Sequence, residues 1–182
     1  MTETYFDALE TRSAEQRAED MARDLPKQIA HAKENTVAYG EYLADIDPAA
    51  VTDRAALAAL PVMRKANMVV DGADGLPIKR FIARPFDEIE HVFQSPGPIY
   101  EPGMTSNDWW RWGRALKAMG IGKGDLVQNT FSYHFTPAGM MFETAARAVG
   151  ATVIPAGTGQ TELQATAMAT MGVTTYAGTP DY

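Results

Sequence analysis

Residues 89–103 read I-E-H-V-F-Q-S-P-G-P-I-Y-E-P-G and divide the chain into two parts of different character. The first half alternates apolar and polar residues, which predicts a strand over residues 89–94. The second half is dense in glycine and proline, which predicts a loop. On its C-terminal side, three apolar runs are separated by helical patterns, as a parallel α/β sheet requires. A loop that follows a strand at this junction is where such folds bind ligands.

The C-terminal part predicts successive βαβ units. Strands are expected at 126–130, 151–155 and 173–176, with helices at 136–149 and 161–171 between them. A further helix is expected from the capping residues 106–108 to residue 119. Because parallel strands point the same way, the loops that follow Thr130, Pro155 and Tyr176 should meet at one edge of the sheet.

The N-terminal part predicts helices and loops. The pattern S-A-E-Q from Ser13 is typical of a capping box, and the apolar spacing after it predicts a long helix that Pro26 should kink or split. Short helices are expected at 39–43, after a Thr52 cap, and at 64–70, with a loop at 71–77. The fold class is therefore α/β, with a helical N-terminal region at 1–85 and a sheet region at 86–182.

Composition excludes several classes of protein. The 182 residues are 46% hydrophobic and 21% charged, which is ordinary for a globular protein. A net charge of -7 disfavours nucleic-acid binding, which needs clustered basic residues. The absence of cysteine excludes disulfides and thiolate zinc sites, and no motif predicts a metal site. The acidic N-terminus and the lack of a long apolar run predict a cytoplasmic protein without a membrane segment.

Several motifs occur in the order found in a known family. They are L-P-V-M-R-K-A-N-M, the H-V-F-Q-S loop, G-x-G-K-G-D-L-V-Q-N, F-S-Y-H-F-T-P-A-G, R-A-V-G-A-T-V-I-P-A-G-T-G-Q-T and Y-A-G-T-P. In this order they resemble the N-terminal part of phenylacetate-CoA ligases, members of the adenylate-forming acyl- and aryl-CoA synthetases. The similarity covers nearly the whole chain.

The resemblance implies a two-step reaction. A carboxylate attacks the α-phosphate of ATP to give an acyl-adenylate and pyrophosphate, and coenzyme A then displaces AMP to give a thioester. Mg²⁺ is implied as the ion that neutralises phosphate charge. Family members are much longer than this chain, so the 182 residues alone should not complete the reaction. The implied partner is a small aryl or acyl carboxylate, and a Trp-rich helix and an open sheet edge leave room for a homo-oligomer.

The glycine- and proline-rich loop departs from the family pattern. The phosphate loop of the family resembles S-S-G-T-T-G-K-P, whereas Gln94 is followed here by S-P-G-P-I-Y-E-P. Extra prolines remove amide donors, and an acidic residue stands where the lysine is expected. Two like charges at about 4 Å repel by about 4 kcal/mol at an effective dielectric of 20, or about 1 kcal/mol in water. The residues that we assign to the nucleotide are Ser95, Gly97, Tyr100 and Glu101.

Three interpretations of this loop stay open. It is a drifted phosphate loop that still works, or it has been rebuilt for another nucleotide or acyl donor, or ATP use has been lost. In the last case the protein is a non-catalytic acyl-binding or scaffolding relative. No catalytic residue can be assigned from the sequence.

An aromatic segment follows the strand predicted at 126–130. A cluster of aromatic rings with one hydroxyl and one imidazole could form the wall of an acyl pocket. The resemblance places the aryl pocket of the ligases here, although the aromatic rings could equally pack on the sheet. The residues assigned to the substrate are Phe131, Tyr133, His134 and Phe135.

A glycine-rich turn between the next strand and helix is the third candidate. The residues assigned to the substrate in it are Gly157, Thr158 and Gly159. Such turns can present backbone amides and the positive end of a helix to an anion, although glycine there is also common for geometric reasons alone. We expect Ser95 and Tyr133 to face a common cleft.

Overall fold

The computed structural model describes residues 4–69 and 75–179, and it has mixed helices and strands. Short 3₁₀ helices join the longer elements. The α-helices and strands, in chain order, are α1 Ala14–Asn35, α2 Val37–Tyr42, α3 Arg54–Ala58, β1 His91–Ser95, β2 Ile99–Gly103, α4 Gly113–Ala118, β3 Leu126–Asn129, α5 Ala138–Ala148, β4 Thr152–Pro155, α6 Thr161–Met171 and β5 Thr175–Ala177.

A three-stranded parallel sheet carries the C-terminal part, in the order β4-β3-β5. The register pairs Val127 of the central strand with Val153 of β4 and with Thr175 of β5. Strand β4 therefore lies on one side of β3 and β5 lies on the other, so the connection from β4 to β5 crosses β3. A strand order that reverses in this way opens a crevice at the carboxyl ends of the strands.

The two helices between these strands cover opposite faces of the sheet. Neighbouring residues of β3 point to opposite faces, and the side chain of Asn129 contacts α5 while that of Gln128 contacts α6. The α5 face contains the hydrophobic core of this part of the chain. Its buried residues are Leu116, Ile121, Val127, Ala145, Ala146, Ala151 and Ala177, with Phe131 and Phe142 packed against them.

Helix α1 begins at the predicted capping box. Ser13 Oγ accepts a hydrogen bond from the Gln16 amide at 3.1 Å, and the Ser13 amide donates to Gln16 Oε1 at 2.9 Å. The helix continues through Pro26 to Asn35, so Pro26 does not split it, and the alternative of a kink at Pro26 stays a prediction. The buried residues Ile29, Leu43 and Val51 form a second core beneath it.

The strand predicted at 89–94 is confirmed as β1, but its partner is β2 and not the parallel sheet. Residues 96–98 alone connect the two strands, and so short a connection permits only antiparallel pairing. The sequence alternation of β1 fits either kind of sheet, which is why the pattern did not reveal the partner.

Two helix starts differ from the predictions. Asp53, and not Thr52, caps α3, because its carboxylate accepts the Ala56 amide at 2.8 Å. Helix α4 begins at Gly113, because Asp108 and Arg111 take left-handed conformations that interrupt a helix. Asp108 still caps α4 from a distance, since its carboxylate accepts the Gly113 amide at 2.8 Å.

The chain forms two compact units. One combines Met1–Glu10 with Gly103–Tyr182, and the other is Thr11–Pro102. In the first unit Arg114 of α4 forms an ion pair with Asp7 at 2.6 Å. The predicted division at residues 85 and 86 stays a prediction. No helix of the described residues is long and apolar enough to cross a membrane.

Candidate functional site

A cavity of about 460 Å³ lies at the carboxyl edge of the parallel sheet. Its volume falls in the range of roughly 300–1,000 Å³ that is typical of small-molecule sites. Loops that follow all three parallel strands contribute to it, as the sequence predicted. The described residues that line it are Thr130, Phe131, Ser132, Thr136, Ala138, Gly157, Thr158, Gly159, Thr161, Gln164, Ala165, Met168, Tyr176 and Thr179.

The loop between β3 and α5 is held by Asn129, whose side chain is fully buried. Asn129 Nδ2 donates to the carbonyl oxygen of Gly139 at 2.7 Å and to Tyr133 Oη at 2.8 Å. Its Oδ1 accepts the Phe131 amide at 3.2 Å. Both N–H groups and the oxygen of this amide are therefore used to fold residues 130–139 over the end of β3.

Tyr133 belongs to this buried network and does not line the cavity. Burial, together with the charge and the hydrogen bond of Glu143, raises the pKa of Tyr133 well above its ordinary value. The phenol therefore stays neutral and can donate to the Glu143 carboxylate while it accepts from Asn129. His134 and Phe135 lie at the surface outside the lining, and the Phe135 side chain is 74% exposed.

The glycine-rich turn after β4 is fixed by Gln164 of α6. Gln164 Nε2 donates to the carbonyl oxygen of Gly157 at 2.9 Å and to that of Gly159 at 2.6 Å. The Gly157 amide in turn donates to the carbonyl oxygen of Asn129 at 3.0 Å. Both glycines and Gln160 have positive φ, so the chain turns sharply into α6, and no side chain caps the first amides of that helix.

The predicted nucleotide residues lie on the β1–β2 hairpin. The Ser95 hydroxyl donates to Glu101 Oε1 at 2.8 Å. The turn between the strands is Pro96-Gly97-Pro98, so it offers a single backbone amide. The stretch 94–102 therefore offers a triphosphate little to bind. Its serine hydroxyl already donates to a carboxylate, its turn has one backbone amide, and it contains no Lys or Arg.

The described residues contain no cluster of three or more His, Cys, Asp or Glu that could hold a metal ion. The chemistry of the cavity itself rests on hydroxyl groups, backbone amides and apolar side chains.

Comparison of the sequence with known proteins finds phenylacetate-coenzyme A ligases. The Escherichia coli K12 enzyme is 29% identical over 174 residues, which are 91% of this chain and 39% of the enzyme. The Pseudomonas putida enzyme is 30% identical over 168 residues, or 87% of this chain and 37% of the enzyme. The chain is similar to phenylacetate-CoA ligases along most of its length. It spans less than two fifths of the length of these relatives. No protein-family model matches it.

Solved structures of a CoA ligase share the fold of this chain. The crystal structure of 2-hydroxyisobutyryl-CoA ligase in the postadenylation state, in complex with 2-HIB-AMP, superposes with a TM-score of 0.80 at 22% identity. The match covers 93% of this chain and 38% of that one. A second structure of that ligase, with 2-HIB-AMP and CoA, gives a TM-score of 0.80 at 21% identity. At these identities the likeness establishes the fold alone.

Within this ligase-family fold, the cavity brings together four of the residues predicted to bind substrate. They are Phe131, Gly157, Thr158 and Gly159. Their role in binding stays a prediction, as do the roles of Tyr133, His134, Phe135 and the four hairpin residues. The sequence reasoning missed Asn129 and Gln164. The available signal for Asn129 was the pair of adjacent polar residues at the end of the strand L-V-Q-N. A polar side chain in a buried strand needs specific hydrogen-bond partners, which indicates a structural role.

Proposed function

We propose that this chain is the N-terminal part of an AMP-forming acyl- or aryl-CoA ligase and that its cavity holds the organic group of the carboxylate. The observation that carries the proposal is the position of the cavity. Loops from three parallel strands form it at the carboxyl edge of the sheet, in a chain that matches CoA ligases along most of its length. Ligands of open α/β sheets bind at this edge.

The lining suits a neutral organic group with an acidic end. The side chains of Phe131, Ala138 and Met168 supply apolar surface for an acyl or aryl group. Thr161 places the N-terminus of α6 at the cavity, and the uncapped amides there favour a carboxylate. We therefore propose that the organic group packs on Phe131 and that the carboxylate points toward α6.

ATP, Mg²⁺ and coenzyme A enter this proposal as co-substrates of the whole ligase. ATP supplies the adenylyl group that activates the carboxylate, and CoA supplies the thiol of the product. The residues described here bind and orient the acid, and the β1–β2 hairpin does not favour phosphate. A cytoplasmic location, a small carboxylate as partner, and the division into a helical region 1–85 and a sheet region 86–182 belong to the same proposal.

One observation favours a second candidate function. The Ser95–Glu101 hydrogen bond closes the hairpin on itself, and Glu101 would repel a triphosphate. These features suit a relative that binds an acyl ligand or scaffolds a partner without using ATP. The cavity would then still bind carboxylates, so nucleotide use separates the two functions.

Binding of the acid can be tested on the chain by calorimetry with a panel of aryl and acyl carboxylates. We expect saturable binding that Ala165→Phe abolishes, because the new ring fills the cavity. Ala169→Phe on the same helix is the matched control, since Ala169 is exposed and outside the lining. Binding that survives Ala165→Phe would place the acid elsewhere, and no binding of any acid would contradict the proposal.

Nucleotide use can be tested by carboxylate-dependent ATP–pyrophosphate exchange in the full-length protein that carries this chain. Exchange supports the ligase, and its absence from the folded protein across the panel favours the second candidate.

Glu101→Lys should tighten ATP binding if the hairpin lies at the phosphates. Asp87→Lys, which makes the same charge change at an exposed site, is the control. Equal ATP affinity of all three proteins would mean that the hairpin does not contact phosphate.

A further inference from the structure

Two hydroxyl groups lie next to each other in the wall of the cavity, one from Thr130 just after β3 and one from Tyr176 of β5. Thr130 Oγ1 lies 3.1 Å from Tyr176 Oη and 3.0 Å from the carbonyl oxygen of Ala177. Both Thr130 and Tyr176 line the cavity. The backbone fixes the pair, because the Thr130 amide also donates to the Ala177 carbonyl at 2.8 Å.

The pair has unused hydrogen-bonding capacity. The Thr130 hydroxyl has one hydrogen and two acceptors within reach. If it donates to Ala177, then Tyr176 donates to Thr130 and keeps a free lone pair. If it donates to Tyr176, then the Tyr176 O–H remains free. Among the described residues, Tyr176 therefore always keeps one donor or one acceptor available at the cavity.

Gly178 makes room for this pair. A Cβ atom at position 178 would lie 2.3 Å from Thr130 Oγ1 and 2.5 Å from Tyr176 Oη. Gly178 does not have a positive φ, so the requirement for glycine there is space and not backbone conformation. Any larger residue would force the two hydroxyl groups apart.

The surroundings of the pair are polar but uncharged. No Asp, Glu, Lys, Arg or His occurs among the described residues that line the cavity. A charged substituent would gain no counter-charge from this lining, whereas a neutral hydroxyl needs only one hydrogen bond. A group that approaches Tyr176 is therefore selected to be polar and neutral.

We propose that the Thr130–Tyr176 pair is a specificity determinant that recognises a hydroxyl substituent on the bound acid. The preferred substrates are then hydroxylated carboxylates and not their unsubstituted counterparts. The inference rests on the proposed function, because it assumes that the cavity holds the organic group of a carboxylate.

Calorimetry with phenylacetate and its three ring-hydroxylated isomers tests the inference on the chain. At least one isomer should bind about fivefold to tenfold more tightly than phenylacetate, which corresponds to one net hydrogen bond. Tyr176→Phe should abolish that preference, so that phenylacetate and the favoured isomer bind this variant with affinities within about twofold of each other. Thr130→Val should reduce the preference, and Tyr5→Phe, at an exposed tyrosine, should preserve it.

The outcomes separate this inference from the proposed function. If phenylacetate binds but no hydroxylated isomer binds more tightly, or if Tyr176→Phe keeps the preference, the inference is wrong and the proposed function stands. If no acid binds the folded wild-type chain, both are wrong. Thermal unfolding of each variant shows whether the fold is retained.

Discussion

At the scale of single residues, Asn129 connects the end of β3 to the loop that forms the cavity. It is buried completely, and its amide bonds Gly139, Tyr133 and Phe131. A polar residue in that position stabilises only when every partner is present, because an unpaired buried group costs about 1–3 kcal/mol. Asn129 is therefore a structural residue on which the shape of the site depends.

Asn129→Ala should destabilise the chain. It removes three hydrogen bonds at a fully buried position, so we expect the free energy of unfolding to fall by about 2–4 kcal/mol. Urea unfolding followed by circular dichroism measures the change. Asn107→Ala, at an exposed asparagine, should change it by less than about 0.5 kcal/mol. Equal effects of the two substitutions would contradict the role given to Asn129.

Tyr133 should make stability depend on pH in the alkaline range. Its raised pKa means that the folded state keeps the phenolic proton while the unfolded state loses it. The stabilisation is complete below the unfolded pKa of about 10 and is lost as the pH rises through the folded pKa. Above about pH 10, the unfolding free energy of the wild type should therefore fall more steeply than that of Tyr133→Phe. Parallel pH profiles would contradict this.

Residues differ in how far the sequence reveals them. The Ser13 capping box was predictable because its two partners are three residues apart and the contact is local. Asn129 was not, since its partners lie in a loop whose course only the folded chain defines. The exposure of Phe135 was likewise not predictable from the sequence, because an aromatic residue next to a strand usually packs on the sheet.

At the scale of elements, the order of strands and helices after residue 125 was predicted correctly because short apolar runs alternate there with longer helix-forming segments. The partner of β1 and the start of α4 were not. Strand alternation does not identify the partner, and the positive φ of Asp108 and Arg111 arises from the loop and not from a helix-breaking residue type. The parallel sheet was therefore predictable, whereas the pairing of the hairpin strands was not.

Helix α5 approaches the loop before it so closely that residue 139 must be glycine. A Cβ atom there would lie 2.5 Å from the Ser132 carbonyl oxygen and 2.8 Å from the Tyr133 ring. Gly139→Ala should lower the unfolding free energy by about 1–3 kcal/mol, although alanine favours a helix by about 1 kcal/mol. Gly122→Ala, whose Cβ would meet nothing nearer than 3.7 Å, is the control and should be neutral. A stabilising Gly139→Ala would contradict the close approach.

Gln164 of helix α6 should hold the glycine-rich turn in its observed conformation. Gln164→Met keeps the size of the side chain but loses both hydrogen bonds to the turn. We expect faster amide hydrogen exchange at Gly157 and Gly159 and weaker carboxylate binding. Leu163→Ala, on the exposed side of the same helix, should change neither. Unchanged exchange in Gln164→Met would show that the turn does not depend on this residue.

At the scale of the whole molecule, the sequence identified the family because several motifs occur in the right order along nearly the entire chain. It also indicated that the ligases are longer, and the chain indeed spans less than two fifths of the relatives that it matches. The relation between the hairpin and the cavity was beyond sequence reasoning, because it depends on packing between segments far apart in the chain. The expected common cleft of Ser95 and Tyr133 stays a prediction.

The most direct test is a titration of the ¹⁵N-labelled chain with phenylacetate and its hydroxylated isomers, followed by amide chemical shifts. Binding at the sheet edge predicts saturable shifts at Phe131, at Gly157 to Gly159 and at Tyr176. Shifts confined to the hairpin or to α1, or no shifts at millimolar acid, would contradict the assignment of this cavity as the carboxylate site.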